Sequence, residues 1–368
     1  MLENFEALRK SAPEFFAGAN SADGFFSCFD DLYDPPSGDR FYILKGGPGT
    51  GKSTLMKEIA VNLSEKGERG TLFYCSSDPE SLDGITFEKR GTGIADGTAP
   101  HTMDPKYPGL CESIVPLGEG LDGDALYEKR EEILPLFNAN SLLHKKASRL
   151  IKAAGRLLDD SFAVDCRCTD LDRAAEFAKK LADRVFGRER GKEGREKRRF
   201  LSGITPNGHT VFSNTPIKLC QKVITVEDAY GGASSIIMAV LRKRALEAGC
   251  TVYVCPCAIH PMRKIDHIII PEKDIAFCTT GPGLEIQSQN QRKIHARRFK
   301  NTGELKEYSE RLKFNRRAAD ELLKAACETL LEAKKVHDRI EGYYVSAMDF
   351  EKCKKYRKDI LSGILKRL

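Results

Sequence analysis

No apolar run in this 368-residue chain approaches the roughly 18 residues that a membrane span needs. Its opening, MLENFEALRKSAPEFF, also lacks the basic-then-apolar order of a secretory leader. Together these absences predict a cytoplasmic protein with no membrane partner. A strong charge of either sign is missing too. Fifty-nine basic residues against 53 acidic ones leave a net +6, which permits weak attraction to anions without arguing for any one partner. Two basic clusters, GRERGKEGREKRRF (187–200) and QRKIHARRFK (291–300), lack the interleaved aromatics of a single-strand-binding platform. Nucleic acid is therefore the minor reading for both.

Regular cysteine spacing is likewise absent. The twelve cysteines form no staple framework, and a chain of this length that is 41% hydrophobic can bury a core without one. Free thiols in a reducing compartment are the expectation. Cys250, Cys255, Cys257 and His260 fall close together, but not as the repeated C-x2–4-C pairs of a zinc site. Cys255 reads as the counterpart of Cys75, which favours a buried thiol on a strand. Cys166 and Cys168 are a lone C-x-C.

What is present is concentrated at KGGPGTGKST (45–54). RFYILK before it reads as a buried strand, and STLMKEIAVNL after it as a helix with Leu55, Ile59 and Leu63 on one face. Between them, Gly46 and Gly51-Lys52-Ser53 satisfy G-x-x-x-x-G-K-[ST], the Walker A pattern, in the strand–loop–helix context it requires. Glycines at 46, 47, 49 and 51, with Pro48 and Thr50 between them, let the backbone turn tightly and aim N–H groups at phosphate oxygens. The helix N-terminus adds partial positive charge. Lys52 is expected to reach the β and γ phosphates and Ser53 to ligate Mg2+, while Thr54 continues the helix.

A carboxylate at the end of a neighbouring strand would complete the metal shell. Asp96, in TGIADGTAPH, is the preferred candidate, and Asp78, after the strand TLFYC, is the alternative. His101, Asp104 and Glu112 follow in the same region. For His101 a surface or hydrogen-bonding role is the better reading and reach to the γ-phosphate the functional one; Asp104 and Glu112 read better as solvated loop carboxylates than as a water-orienting base or substrate contact.

These stretches, together with CSSDPESLDG (75–84), DGTAPH (96–101) and DPKYPG (104–109), resemble a group of bacterial P-loop ATPases built as a tandem duplication. The likeness is close over about the first 120 residues and holds only in outline beyond them. The resemblance implies ATP or another nucleotide as ligand and a two-copy architecture, and transfers no substrate.

An offset near 182 lays KVITVE on RFYILK, SSIIMAVLRKRALEAG on the helix after the loop, TVYVCPC on TLFYCSS and IDHIII on LDGITF. In that register Lys52 becomes Ala233, Gly46 becomes Glu227, Gly47 becomes Asp228, and Asp96 falls at or beside Cys278. The rear loop would then lack its phosphate-binding ammonium and its metal carboxylate, and would carry two carboxylates that repel phosphate. It reads as a silent copy that scaffolds the first half or holds a different ligand.

The predicted fold class is α/β: two similar P-loop NTPase-like three-layer domains with mostly parallel sheets, each with a helical appendage. Residues 1–186 form the first, with an arm at 125–186; residues 187–200 are a charged linker; residues 201–368 form the second, with an arm at 303–368. The expected activity is Mg2+-dependent ATP hydrolysis, with Lys52 and Asp96 as the catalytic pair and Ser53 and Asp96 on the metal. A small-molecule or nucleotide kinase and a non-catalytic nucleotide-gated module are the alternatives. No arginine-rich lid argues for the kinase, and no N/TKxD signature argues for guanine.

Overall fold

The computed structural model describes residues 2–99, 102–187, 193–287 and 292–366. In chain order, the first half comprises α1 (Leu2–Ser11), β1 (Glu14–Phe16), the hairpin β2 (Gly18–Ser21) and β3 (Gly24–Ser27), β4 (Arg40–Lys45), α2 (Lys52–Glu65), β5 (Thr71–Tyr74), β6 (Leu82–Phe87), β7 (Thr92–Asp96), β8 (Glu112–Pro116), α3 (Gly123–Glu128), α4 (Arg130–Arg167) and α5 (Leu171–Phe186). The second half comprises β9 (Arg195–Arg198), the hairpin β10 (Ser202–Thr205) and β11 (Gly208–Val211), α6 (Thr215–Leu219), β12 (Lys222–Glu227), α7 (Gly232–Glu247), β13 (Thr251–Pro256), β14 (Ile265–Ile270), β15 (Ile275–Thr280), β16 (Arg292–His295), α8 (Thr302–Glu307), α9 (Ser309–Ser346) and α10 (Phe350–Leu365). No helix among the described residues is long and apolar enough to cross a membrane.

Two six-stranded mixed sheets result, one ordered β1-β5-β6-β7-β4-β8 and the other β9-β13-β14-β15-β12-β16. The two orders correspond strand for strand. In each sheet one strand, β6 or β14, runs antiparallel to both neighbours while the remaining pairs are parallel. The irregularity between Phe73 and Tyr74 recurs between Cys255 and Pro256.

Layering differs from the three-layer expectation, because each sheet carries helices on one face only. Leu55, Met56, Ile59 and Leu63 of α2 pack on the first sheet, and Ile237, Met238 and Leu241 of α7 on the second. The opposite faces share one apolar cluster, which joins Phe15, Phe41, Ile43 and Phe73 to Val223, Tyr253, Cys255 and Ile269. Alternate residues of a strand point to opposite faces, so one face can bury against helices and the other against a second sheet.

The arms cross over. Helices α4 and α9 lie antiparallel: Asp160 meets Arg311 and Asn315 at one end, Ala147 and Ile151 meet Ala326 and Leu330 midway, and Glu132 meets Tyr343 at the other end. Each long helix then delivers its successor to the other half's sheet. Ala174, Ala178 and Leu181 of α5 join the core of the second sheet, while Ile360 and Ile364 of α10 join that of the first. An arm therefore does not stay with the half that precedes it.

The connector expected at 187–200 is structured in its C-terminal part. Arg195–Arg198 forms edge strand β9, parallel to β13, and Arg199 is 1% exposed. Its guanidinium lies over the rings of Phe15, Phe73 and Tyr253, at 3.8 Å from the Tyr253 centroid, and pairs with Glu88 at 3.3 Å. Arginine suits this place because its flat cation stacks on aromatic faces and keeps in-plane hydrogen bonds.

Candidate functional site

Strand β4 delivers the loop 46–51 to the N-terminus of α2. Gly49 and Gly51 adopt φ values of 68° and 81°, a left-handed backbone that favours glycine, and Gly51 caps the helix. Thr50 is buried, and its hydroxyl donates to the Gly47 carbonyl at 2.9 Å. Lys52 begins the helix and folds back over the loop, donating to the carbonyls of Gly46 at 2.8 Å and Gly47 at 2.7 Å. Ser53 accepts from the Leu82 amide at 2.9 Å, which ties the helix start to β6.

Of the two candidate metal carboxylates, Asp96 is the one the sheet brings to the loop. Strand β7 lies directly beside β4, with Asp96 opposite Leu44, and its Oδ2 is 3.6 Å from Lys52 Nζ. Asp78 follows β5, which is separated from β4 by β6 and β7, and pairs with Lys334 of α9 at 3.4 Å. Asp104 is exposed and pairs with Lys45 at 3.0 Å. Glu112, expected in a solvated loop, is 1% exposed and sits at the start of β8, the far end of the strand from the loop. It accepts from the Tyr33 hydroxyl and the Tyr107 amide, both at 2.8 Å, and so has a structural role. His101 lies outside the described residues.

Sequence reasoning missed two carboxyl groups. Asp83, on β6, is 7% exposed, and burial first and the charge of Asp96 second push its carboxyl well above the usual range. Glu341, near the end of α9, accepts from the Gly49 amide at 3.2 Å. Around it, Tyr344 abuts Gly47, Val345 abuts Gly49, and Phe350 stands over Gly51. The tip of the second half's arm thus covers the first half's loop, with an anion on one of its amides. Only Asp83 left a trace in the sequence, as a lone acid in an otherwise apolar strand.

The rear loop is shorter than the alignment implied. Glu227 ends β12 as Lys45 ends β4, and Gly231 caps α7 as Gly51 caps α2. Two residues are missing, so Lys52 corresponds to Gly232 rather than Ala233, Gly46 to Asp228, and Asp96 to Thr279, one beyond Cys278. The strand register likewise pairs Cys75 with Cys257 rather than Cys255, and each thiol is hydrogen-bonded to the aspartate of the next strand, Asp83 or Asp266. All twelve cysteines are free.

Protein carboxylates occupy two amides at the start of the rear helix. Asp165, at the end of α4, accepts from Gly232 N–H at 2.8 Å, and Asp228 accepts from Ser234 N–H at 2.9 Å. Lys300 bridges the two at 2.7 and 2.6 Å. One cation serves two buried acids. Burial raises both carboxyls, but Lys300 and backbone donors prevail at Asp228 and hold it below its ordinary value, whereas burial and the neighbouring Asp228 keep Asp165 above. Glu227 stays at the surface with His295.

A family model described as Nephrocystin 3, N-terminal matches residues 26–86. The matched stretch runs from β3 to β6 and contains the Gly46–Ser53 loop and α2. It covers too little of the chain to place the whole in that family, and it gives no support to the likeness to tandem-duplicated bacterial ATPases. No curated protein and no solved structure matches.

Proposed function

We propose that the first half binds a nucleoside triphosphate, ATP, with Mg2+ at the 46–54 loop and hydrolyses it, and that the second half is a duplicate whose corresponding loop no longer does so. The observation that carries this reading is the placement of Lys52 Nζ 3.6 Å from Asp96 on the adjacent parallel strand, beneath a loop with two left-handed glycines. The residues fit the ligand: the loop already directs the Gly49 amide at a carboxylate oxygen, so an anion is the partner its geometry accepts.

Bound ATP and Mg2+ supply the transferable phosphoryl group and a Lewis acid. Lys52 and the N–H groups of Gly47 and of residues 49–53 would hold the phosphate oxygens, the Lys52 ammonium giving up its bonds to the Gly46 and Gly47 carbonyls. Ser53 and Asp96 would hold the metal, Ser53 through a hydroxyl lone pair not used by the Leu82 amide. Entry of phosphate at Gly49 requires Glu341 to leave, so nucleotide binding is coupled to the position of the arm. That coupling supports a motor or switch role more directly than phosphoryl transfer to an acceptor.

Magnesium-dependent phosphate release tests the reading. Turnover abolished by Lys52→Ala is expected, whereas turnover at background in the native chain, or unchanged in the variant, contradicts it.

A further inference from the structure

The second sheet carries a cavity of about 830 Å3 at the strand ends where the first half has its loop site. Its floor is formed by Asp228, Cys257, Asp266 and Thr279, and its roof by α4, α9 and the β10–β11 hairpin. That volume lies within the range of sites for small organic ligands.

Three observations define what fits. First, the Gly232 and Ser234 amides at the rear helix start are taken by the carboxylates of Asp165 and Asp228, whose charges oppose a phosphate at the loop itself. Second, Thr279, which stands where the first half has Asp96, is 1% exposed and its hydroxyl has no hydrogen-bond partner. A buried hydroxyl of this kind costs free energy until something pairs with it, and it lines the cavity. Third, charge and apolar surface are separated. Ile204, Ile259, Leu284 and Leu323 line the walls, while Arg316 and Lys324 of α9 stand at the mouth. Arg263 and Lys264, also lining it, are neutralised by Asp159 at 2.9 Å and Asp266 at 3.0 Å. Arg316 donates to the Ala229 carbonyl, and neither Arg316 nor Lys324 has an ion-pair partner among the described residues. Asp320 lies between them on the helix and offsets one of the two charges, which leaves the mouth cationic.

We propose that this cavity is a second ligand site for a small organic anion: an apolar or flat body between the aliphatic walls, an anionic group on Arg316 and Lys324, and a polar atom at the deep end on the Thr279 hydroxyl. This goes beyond nucleotide binding at the first loop. The chemistry differs, because here the charge is held at the mouth by side chains rather than at the floor by main-chain amides.

The test uses 8-anilinonaphthalene-1-sulfonate, an aromatic body with one fixed negative charge, on the full chain. The protein has no tryptophan, so Leu323→Trp provides a single donor on the cavity wall for energy transfer to the bound probe. One saturable site per chain is expected, with efficient transfer from the introduced indole in that variant. Arg316→Glu with Lys324→Glu should weaken binding at least tenfold, and Lys52→Ala should leave it unchanged. The uncharged N-phenyl-1-naphthylamine should bind at least tenfold more weakly than the sulfonate. If Leu323→Trp does not fold, probe intensity on the native chain and on Lys324→Gln, a change at an exposed position, gives the same reading. Absence of saturable binding, loss of it in Lys52→Ala, indifference to the charge reversals, or equal binding of the uncharged probe would each overturn the proposal.

Discussion

Glu341 and Gly49 are 292 positions apart in sequence, yet the carboxylate of one accepts the amide proton of the other at 3.2 Å. The contact joins the end of an arm to the backbone that the proposed phosphate would use. Its strength therefore opposes nucleotide binding. A charge-assisted hydrogen bond contributes about 1.5–3 kcal/mol, less where water screens it. Glu341→Ala should accordingly tighten ATP binding about fivefold at unchanged Mg2+, read by titration calorimetry. Equal affinity in the variant would mean that the contact does not compete with nucleotide.

Asp96→Asn keeps the shape of the side chain and removes its charge. Hydrolysis should fall by at least about 100-fold, and the Mg2+ concentration for half-maximal rate should rise. ATP affinity without Mg2+ should improve or hold, because a carboxylate near the phosphates is gone. Asp78→Asn should leave the rate within about twofold of the native value, since β6 and β7 separate its strand from β4.

Lys300 supplies the only cation bonded to Asp165 and Asp228 among the described residues. Removing one partner from a buried ionic cluster leaves uncompensated charge, which costs about 3–5 kcal/mol. Lys300→Met should destabilise the chain by that amount in urea unfolding. Adding Asp165→Asn and Asp228→Asn should recover much of it, because neutral amides need no counter-charge. No recovery in the triple variant would show that shape rather than charge balance holds the rear loop.

His267 lies on β14 with both ring nitrogens unpaired, and burial lowers its pKa from 6.5 to about 4; Asp266, Lys264 and His209 are the charged or titratable groups acting on it. The folded protein therefore binds this proton less readily than the unfolded chain does. Stability is complete above pH 6.5 and falls as pH drops towards 4, by up to about 3 kcal/mol at the lower end. His267→Leu should flatten that part of the pH–stability curve. An unchanged slope in the variant would locate the acid sensitivity elsewhere.

How much of this was legible in the sequence depended on distance along the chain. The Gly46–Ser53 loop, its strand and its helix are contiguous, so local periodicity and glycine spacing revealed them. Asp96 was already preferred to Asp78 from the sequence, but that its strand lies beside β4 while the strand before Asp78 does not is a matter of strand order, which only the sheet provides. The exchange of α5 and α10 between sheets had no local signal, because their apolar stripes fit either partner. Arg199 read as part of a solvated basic run, since nothing nearby in sequence announces the three rings that enclose it. That the rear loop has no lysine at the start of its helix was plain from the sequence. Its two-residue shortening was not, because weak identity let Ala233 slide into the place that the helix start gives to Gly232.

Titration calorimetry of Mg-ATP into the full chain and into Lys52→Ala is the most direct test. One molecule bound per chain is predicted, with at least about a tenfold loss of affinity in the variant. Two molecules per chain, no heat with the native protein, or equal affinity in Lys52→Ala would contradict a single nucleotide site at the front loop.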